Sequence, residues 1–459
     1  MIRTLYPALL AAILVPVPLA LLASPPAGGG SRVFDYPIHQ QTLPNGLKVV
    51  VVPFESPGLV AHWVIVRVGS RNEIEPGHSG FAHFFEHMMF RGTEKIPADR
   101  YNSILKEMGA DSNAFTSDDL TAYHILAGSD ALPRIMEIES DRFMNLRYGK
   151  EAFQKEARAV LGEYNKNFSF PESTIEEKLY DAAFRTHTYK HTTIGFLRDI
   201  EDMPNQYDYS LTFYDRYYRP EHCILLVVGD VDPEKTFALA AQHYGPWKRG
   251  SYEVKIPAEP PQTAEKKVSI AWKNPTLPYL TLGYHSPAFS PRDKDMPALD
   301  LITQVAFSET SPLYKKLVID EQLVDALYGS ASDHRDPNLF VIGARVKDEA
   351  KIKEVQAAIE ATLEDLKKNP VDARRLSDTK SHLKYAFQMR LNTADSVAET
   401  LAHILQLTGD PEDYNTLYAT YDSLTPEDIQ KAAVRYFSPE NRTVVLLAAE
   451  KGKPKEVGR

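Results

Sequence analysis

The segment Arg216-Tyr217-Tyr218-Arg219-Pro220-Glu221 returns near the far end of the chain as Arg435-Tyr436-Phe437-Ser438-Pro439-Glu440. In each copy a helical pattern runs into the Pro-Glu step and a strand-like apolar run leaves it, Ile224 to Val228 in the first and Val444 to Leu447 in the second. One supersecondary unit used twice predicts two similar halves of roughly 210 residues. The stretch Lys248 to Lys266, with Pro257, Pro260 and Pro261, is the natural linker. Residues 32–247 and 267–459 are therefore expected to form the two repeats, joined at 248–266.

Outward from this unit, Leu47 to Val52 follows the turn dipeptide Asn45-Gly46, and Val60 to Val68 comes next. The two runs read as a hairpin-like pair of strands leading into a helix. Further β-rich runs lie at Thr121 to Ala127, Val268 to Trp272, Tyr279 to Tyr284, Phe340 to Val346 and Thr443 to Ala448, with long helical patterns between. The expected class is α+β, two similar repeats each with a mainly antiparallel sheet covered by helices.

The 459 residues, 43% apolar and 25% charged, fit a globular protein too long for one ordinary core. A net charge of −10 without a dense Lys/Arg block argues against nucleic-acid binding. Arg3 precedes the apolar run Ala8 to Leu22, which carries Pro16 and Pro18, and the small residues Ala23, Ser24 and Ala27 follow. Residues 1–27 thus read as a secretory signal peptide, the run being short for the ~20 residues of a span. Export is expected, to a bacterial periplasm, with membrane association only if the leader is retained. The lone Cys223, inside an apolar run, rules out an intrachain disulfide and reads as core filler.

Chemistry concentrates in Phe81-Ala82-His83-Phe84-Phe85-Glu86-His87-Met88, which follows Ser79-Gly80 and contains no proline or glycine. In a helix turning about 100° per residue, His83, Glu86 and His87 share one face. Two imidazoles on adjacent turns can bind one cation, and zinc is the metal that nitrogen donors favour; a catalytic site requires a third protein ligand. Glu151 to Asn167 has an apolar helical face of Phe153, Ala157, Val160, Leu161 and Tyr164, with Glu156 and Glu163 two turns apart. One of these glutamates can bind the metal while the other orients a histidine. His124, His187 and His191 lack such paired context and read as ordinary hydrogen-bonded histidines. Arg335, between Asp333 and Pro337, reads as part of a solvated turn.

His83-Phe84-Phe85-Glu86-His87 with a distant Glu163 resembles the signature of the pitrilysin (inverzincin) zinc metallopeptidases, the family of insulin-degrading enzyme and the mitochondrial processing peptidases. The resemblance extends through Gly69-Ser70-Arg71-Asn72-Glu73, Met88-Met89-Phe90-Arg91-Gly92-Thr93, Ser112-Asn113-Ala114-Phe115-Thr116, Asp141-Arg142 and Gly229-Asp230. It implies one zinc per chain on His83, His87 and Glu163, Glu86 as the general base toward zinc-bound water, and Glu156 as the carboxylate behind a histidine ligand. It also implies that Asn113, Ala114 and Phe115 lie on an edge strand that pairs with extended peptide substrates.

The second half lacks the pentapeptide and resembles the family's catalytically silent repeat. Relatives of this length pair two chains, which implies a homodimer or a heterodimer with an inactive homologue. Ala306-Phe307-Ser308-Glu309-Thr310 stands where such second halves often carry a glycine-rich stretch, a departure that speaks against presequence processing of the mitochondrial kind. The expected function is zinc-dependent endopeptidase action on extended peptides or unfolded segments outside the cytoplasm. The alternative is a metal-binding scaffold or peptide-binding subunit of a hetero-oligomeric peptidase.

Overall fold

The computed structural model describes residues 32–450, so the leader at 1–27 lies outside the described residues. Among the described residues, eleven strands form two sheets. The first contains β1 (His39–Thr42), β2 (Lys48–Pro53), β3 (Leu59–Val66), β4 (Asp111–Thr116), β5 (Thr121–Gly128) and β6 (Cys223–Gly229), in the order β1-β2-β6-β3-β5-β4. The second contains β7 (Lys266–Trp272), β8 (Tyr279–His285), β9 (Val324–Ala331), β10 (Leu339–Val346) and β11 (Arg442–Ala449), in the order β7-β11-β8-β10-β9. Each sheet has a single parallel pair, β2 with β6 and β7 with β11, and is otherwise antiparallel.

Strands β2 to β6 and β7 to β11 follow the same path, so the α+β repeat expected from the Pro-Glu segments is present. In both copies a helix (Tyr207–Tyr217 and Pro426–Tyr436) ends at a short Pro-Glu turn that enters a central strand. No helix or strand lies between Tyr244 and Lys266.

One expectation is corrected. β2 and β3 are not a hairpin: β6 lies between them, parallel to β2 and antiparallel to β3. The reason is burial. All seven residues of β6 are buried, so it takes the central place, and Asn45-Gly46 instead turns β1 into β2.

Side chains alternate across the first sheet. Val49, Val51, Val60 and Val64 face the helices of the first half, where Phe84, Phe85 and Phe153 are buried. Val50, Val52, Ala61, Trp63 and Ile65 face the opposite way and are covered by the helix Ala394–Thr408 of the second half, through Val397, Leu401 and Leu405. The second sheet is covered in return by a first-half helix, Pro171–Ala183, whose Ile175, Leu179 and Ala183 pack with Leu339, Val445 and Leu447. Each half lends a helix to the other's sheet.

The loop around Arg335 is also corrected. It is an inter-half junction rather than a solvated turn. His334 Nε2 lies 3.0 Å from Asp118 Oδ2, the Arg335 backbone N–H donates to Asp119 at 3.0 Å, and Asp336 accepts from Arg71 Nε at 2.5 Å and pairs with His187 Nε2 at 2.9 Å. These acids and bases are drawn together from both halves, a pairing that local sequence cannot reveal.

Burial opposes charge on His334, but Asp118 and Asp119 outweigh it and push its pKa up from 6.5 to about 9. A folded-state value above the unfolded one gives stability that is complete below about pH 6.5 and lost as pH rises through about 9. Burial would raise Asp118, yet His334 and Ser70 hold it below its ordinary value, so its share is lost only in acid. Between about pH 6.5 and about pH 9.5 the wild-type Tm is expected to fall more steeply than that of His334→Gln. Parallel Tm curves would reject this role for the pair.

Candidate metal centre

The helix Phe81–Met88 buries Phe81, Ala82, Phe84, Phe85 and Met88, leaving His83, Glu86 and His87 as its less buried face. Its start is fixed by Glu73, whose carboxylate accepts the N–H groups of Gly80 at 2.7 Å and Ala82 at 2.6 Å. A carboxylate there satisfies two free backbone donors. Gly80 adopts φ +92, and a Cβ at this position would meet the Ile194 carbonyl at 2.5 Å, so only glycine fits.

The helix Lys150–Asn167 packs beside it through Phe153, Ala157, Val160 and Tyr164 and presents both glutamates. Glu163 Oε2 lies 3.6 Å from His83 Nε2 and 3.5 Å from His87 Nε2. Tetrahedral coordination with zinc bonds of about 2.0–2.1 Å separates its donors by about 3.4 Å. The two distances from Glu163 match that spacing, and the ligand atoms of all three residues lie within 4.8 Å of one another, the one group of metal-ligand type among the described residues.

The surroundings distinguish these groups. Side-chain exposure rises from 12% at His83 through 26% at His87 to 38% at Glu163, so the cluster opens to solvent on the glutamate side. Burial, helped by the nearby His87, pushes His83 down to about 4, which keeps it neutral with a free lone pair. His87 is raised by its hydrogen bond to Glu156, Nδ1 to Oε1 at 3.0 Å, a contact that leaves Nε2 facing the cluster. Burial raises the carboxyl of Glu86, which accepts a hydrogen bond from Thr116 Oγ1 at 2.7 Å.

Asn113, Ala114 and Phe115 lie on β4, at the edge of the first sheet and beside the motif helix. They make no direct bond to the cluster; the link runs through Thr116 to Glu86. A cavity of about 350 Å³ adjoins Phe115 and Thr116 and is lined on the second-half side by Asp333, His334 and His403. His124 stacks on Trp63, His187 pairs with Asp336, and His191 bonds the Thr192 carbonyl, so none joins the cluster. Thr116 and Arg91 are the polar neighbours that the sequence reading did not assign. Arg91 carried a signal, being four residues beyond His87, and Thr116 ends the run Ser112-Asn113-Ala114-Phe115-Thr116.

Residues 50–195 match the family model described as Insulinase (Peptidase family M16), and residues 206–383 match the Peptidase M16 inactive domain. The zinc protease PqqE of Helicobacter pylori is 31% identical over 419 residues, spanning 90% of this chain and 93% of that protein. The β subunit of the mitochondrial-processing peptidase of Bos taurus is 30% identical over 223 residues, 48% of this chain and 44% of that one. The crystal structure of a protease from Helicobacter pylori matches with a TM-score of 0.84 at 30% identity, over 90% of this chain and 99% of that one. The periplasmic protease PqqL from Escherichia coli shares the fold, with a TM-score of 0.73 at 20% identity, over 90% of this chain and 47% of PqqL. The chain belongs to peptidase family M16, the pitrilysin family.

Proposed function

We propose that this protein is a zinc-dependent endopeptidase that cleaves extended peptides or unfolded segments outside the cytoplasm, with Glu86 as its general base. The observation that carries the reading is the convergence of His83, His87 and Glu163 on one centre, with Glu86 on the same helix face. Zinc held there supplies a Lewis acid that acidifies water and polarises a peptide carbonyl.

The chain's own groups do the rest. Glu86 takes the proton of the attacking water and returns it to the leaving amine, while Thr116 holds the carboxylate in place. Glu156 orients His87 from behind. The free edge of β4 accepts substrate as an added strand along Asn113, Ala114 and Phe115, a mode that binds main chain and asks little of sequence. Site and edge strand both come from the first repeat, 32–247; the second, beyond the linker at 248–266, closes the chamber wall. The match to about half of PqqL supports pairing of two chains, identical or with an inactive homologue, around one chamber. The leader-like pattern of residues 1–27 is the ground for placing the activity outside the cytoplasm.

The test measures zinc per chain together with hydrolysis of a quenched, unstructured peptide. About one zinc per chain and chelator-sensitive cleavage are expected. Glu163→Gln replaces a charged donor by a neutral one and is expected to weaken zinc binding beyond the roughly 10–100-fold cost of losing an outer partner. Full zinc occupancy in that variant would reject the ligand set.

A further inference from the structure

Resting on the zinc-peptidase reading, we propose that Arg91 is a positioning residue for the metal centre, holding Glu156 so that Glu156 in turn fixes His87. Glu156 gives one oxygen, Oε1, to His87 Nδ1 at 3.0 Å, and its other oxygen, Oε2, pairs with Arg91 Nη2. The carboxylate is 6% exposed, whereas Arg91 is 37% exposed at the rim of the site. With one oxygen on the imidazole and the other on a guanidinium that sits at the solvent-facing rim, the carboxylate is held in one orientation, so Arg91 aims the group that aims the ligand.

The backbone that carries Arg91 is pinned. Gly92 adopts φ +82, with the Ala98 backbone nitrogen 2.5 Å from where a Cβ would stand, and its carbonyl accepts from the Arg147 N–H at 3.2 Å. Thr93 N–H donates to the Ile96 carbonyl at 2.9 Å, while its hydroxyl donates to Asp141 at 2.5 Å. The two histidines differ in support: His83 Nδ1 has no hydrogen-bond partner among the described residues. Orientation of the donor set therefore leans on the His87 side, where Arg91 acts.

The test uses the full-length protein. Zinc dissociation constants are measured by competition with a chelating dye, and Tm is measured metal-free, for wild type, Arg91→Met, Arg91→Lys and the same Arg91→Met change in a Glu156→Gln background. Arg91→Met is expected to weaken zinc binding about 10–100-fold with little change in metal-free Tm. Arg91→Lys is expected to recover most of the loss, because a point charge serves a single carboxylate oxygen. In the Glu156→Gln background Arg91→Met is expected to add nothing. Affinity within about twofold of wild type, an equal loss in the Glu156→Gln background, or a loss tracking a fall in metal-free Tm overturns the proposal. A wild type that binds no zinc overturns the peptidase reading itself, so the two failures are distinguishable.

Discussion

Replacing Glu86 by glutamine is expected to lower kcat/KM on an unstructured peptide by about 10²–10⁴-fold while zinc stays bound. Glutamine keeps the shape and the ability to accept from Thr116 but cannot take a proton. Glu86 is not among the three converging donors, so metal affinity has no reason to change greatly. A scaffold or a peptide-capturing subunit gives a different result: wild type and variant bind alike and neither cleaves. Equal cleavage by both proteins would remove Glu86 from the mechanism.

The second large effect concerns stability. Replacing Arg142 by methionine is expected to cost about 3–5 kcal/mol, because it leaves Glu139 as an unpaired charge in the core. Both residues lie on the helix Leu132–Asn145, at 0% exposure for Glu139 and 2% for Arg142. Arg142 pairs with Glu139, and Tyr101 donates to the same carboxylate at 2.8 Å. Its guanidinium also lies 5.0–5.5 Å from the ring centres of Phe90, Tyr101, Tyr123 and Phe143, contacts that methionine replaces only in part. Adding Glu139→Gln should recover part of the loss, since the stranded charge is then gone. Denaturant titration checks both variants, and a cost under about 1 kcal/mol for Arg142→Met would mean that the pair is hydrated or rearranges.

Much of this architecture was legible because its signals are local. The apolar positions around His83, Glu86 and His87 fix a helix face, and the Pro-Glu segments mark the same helix-to-strand passage twice. What escaped depends on distant partners. Nothing between Leu47 and Val68 shows that β6 will insert between β2 and β3. The short β1 and the edge strand β9 carry weak patterns, since one face or edge remains in water. Glu156 and Glu163 share nearly one azimuth, so periodicity alone leaves their roles open; the packing separates them, with Glu156 at His87 Nδ1 and Glu163 at both Nε2 atoms. His334 and Arg335 look like turn residues until the first-half acids beside them are known.

The helices Pro171–Ala183 and Ala394–Thr408, each laid on the opposite sheet, make the connecting stretch after Tyr244 dispensable as a tether. A protease nick there should yield two bands on a denaturing gel but one particle on a sizing column, since dissociation would strip apolar covering from both fragments at once. Neither fragment expressed alone is expected to stay in solution, whereas the pair made together should reassemble. The molecule's unity resides in its interlocked surfaces rather than in its covalent continuity.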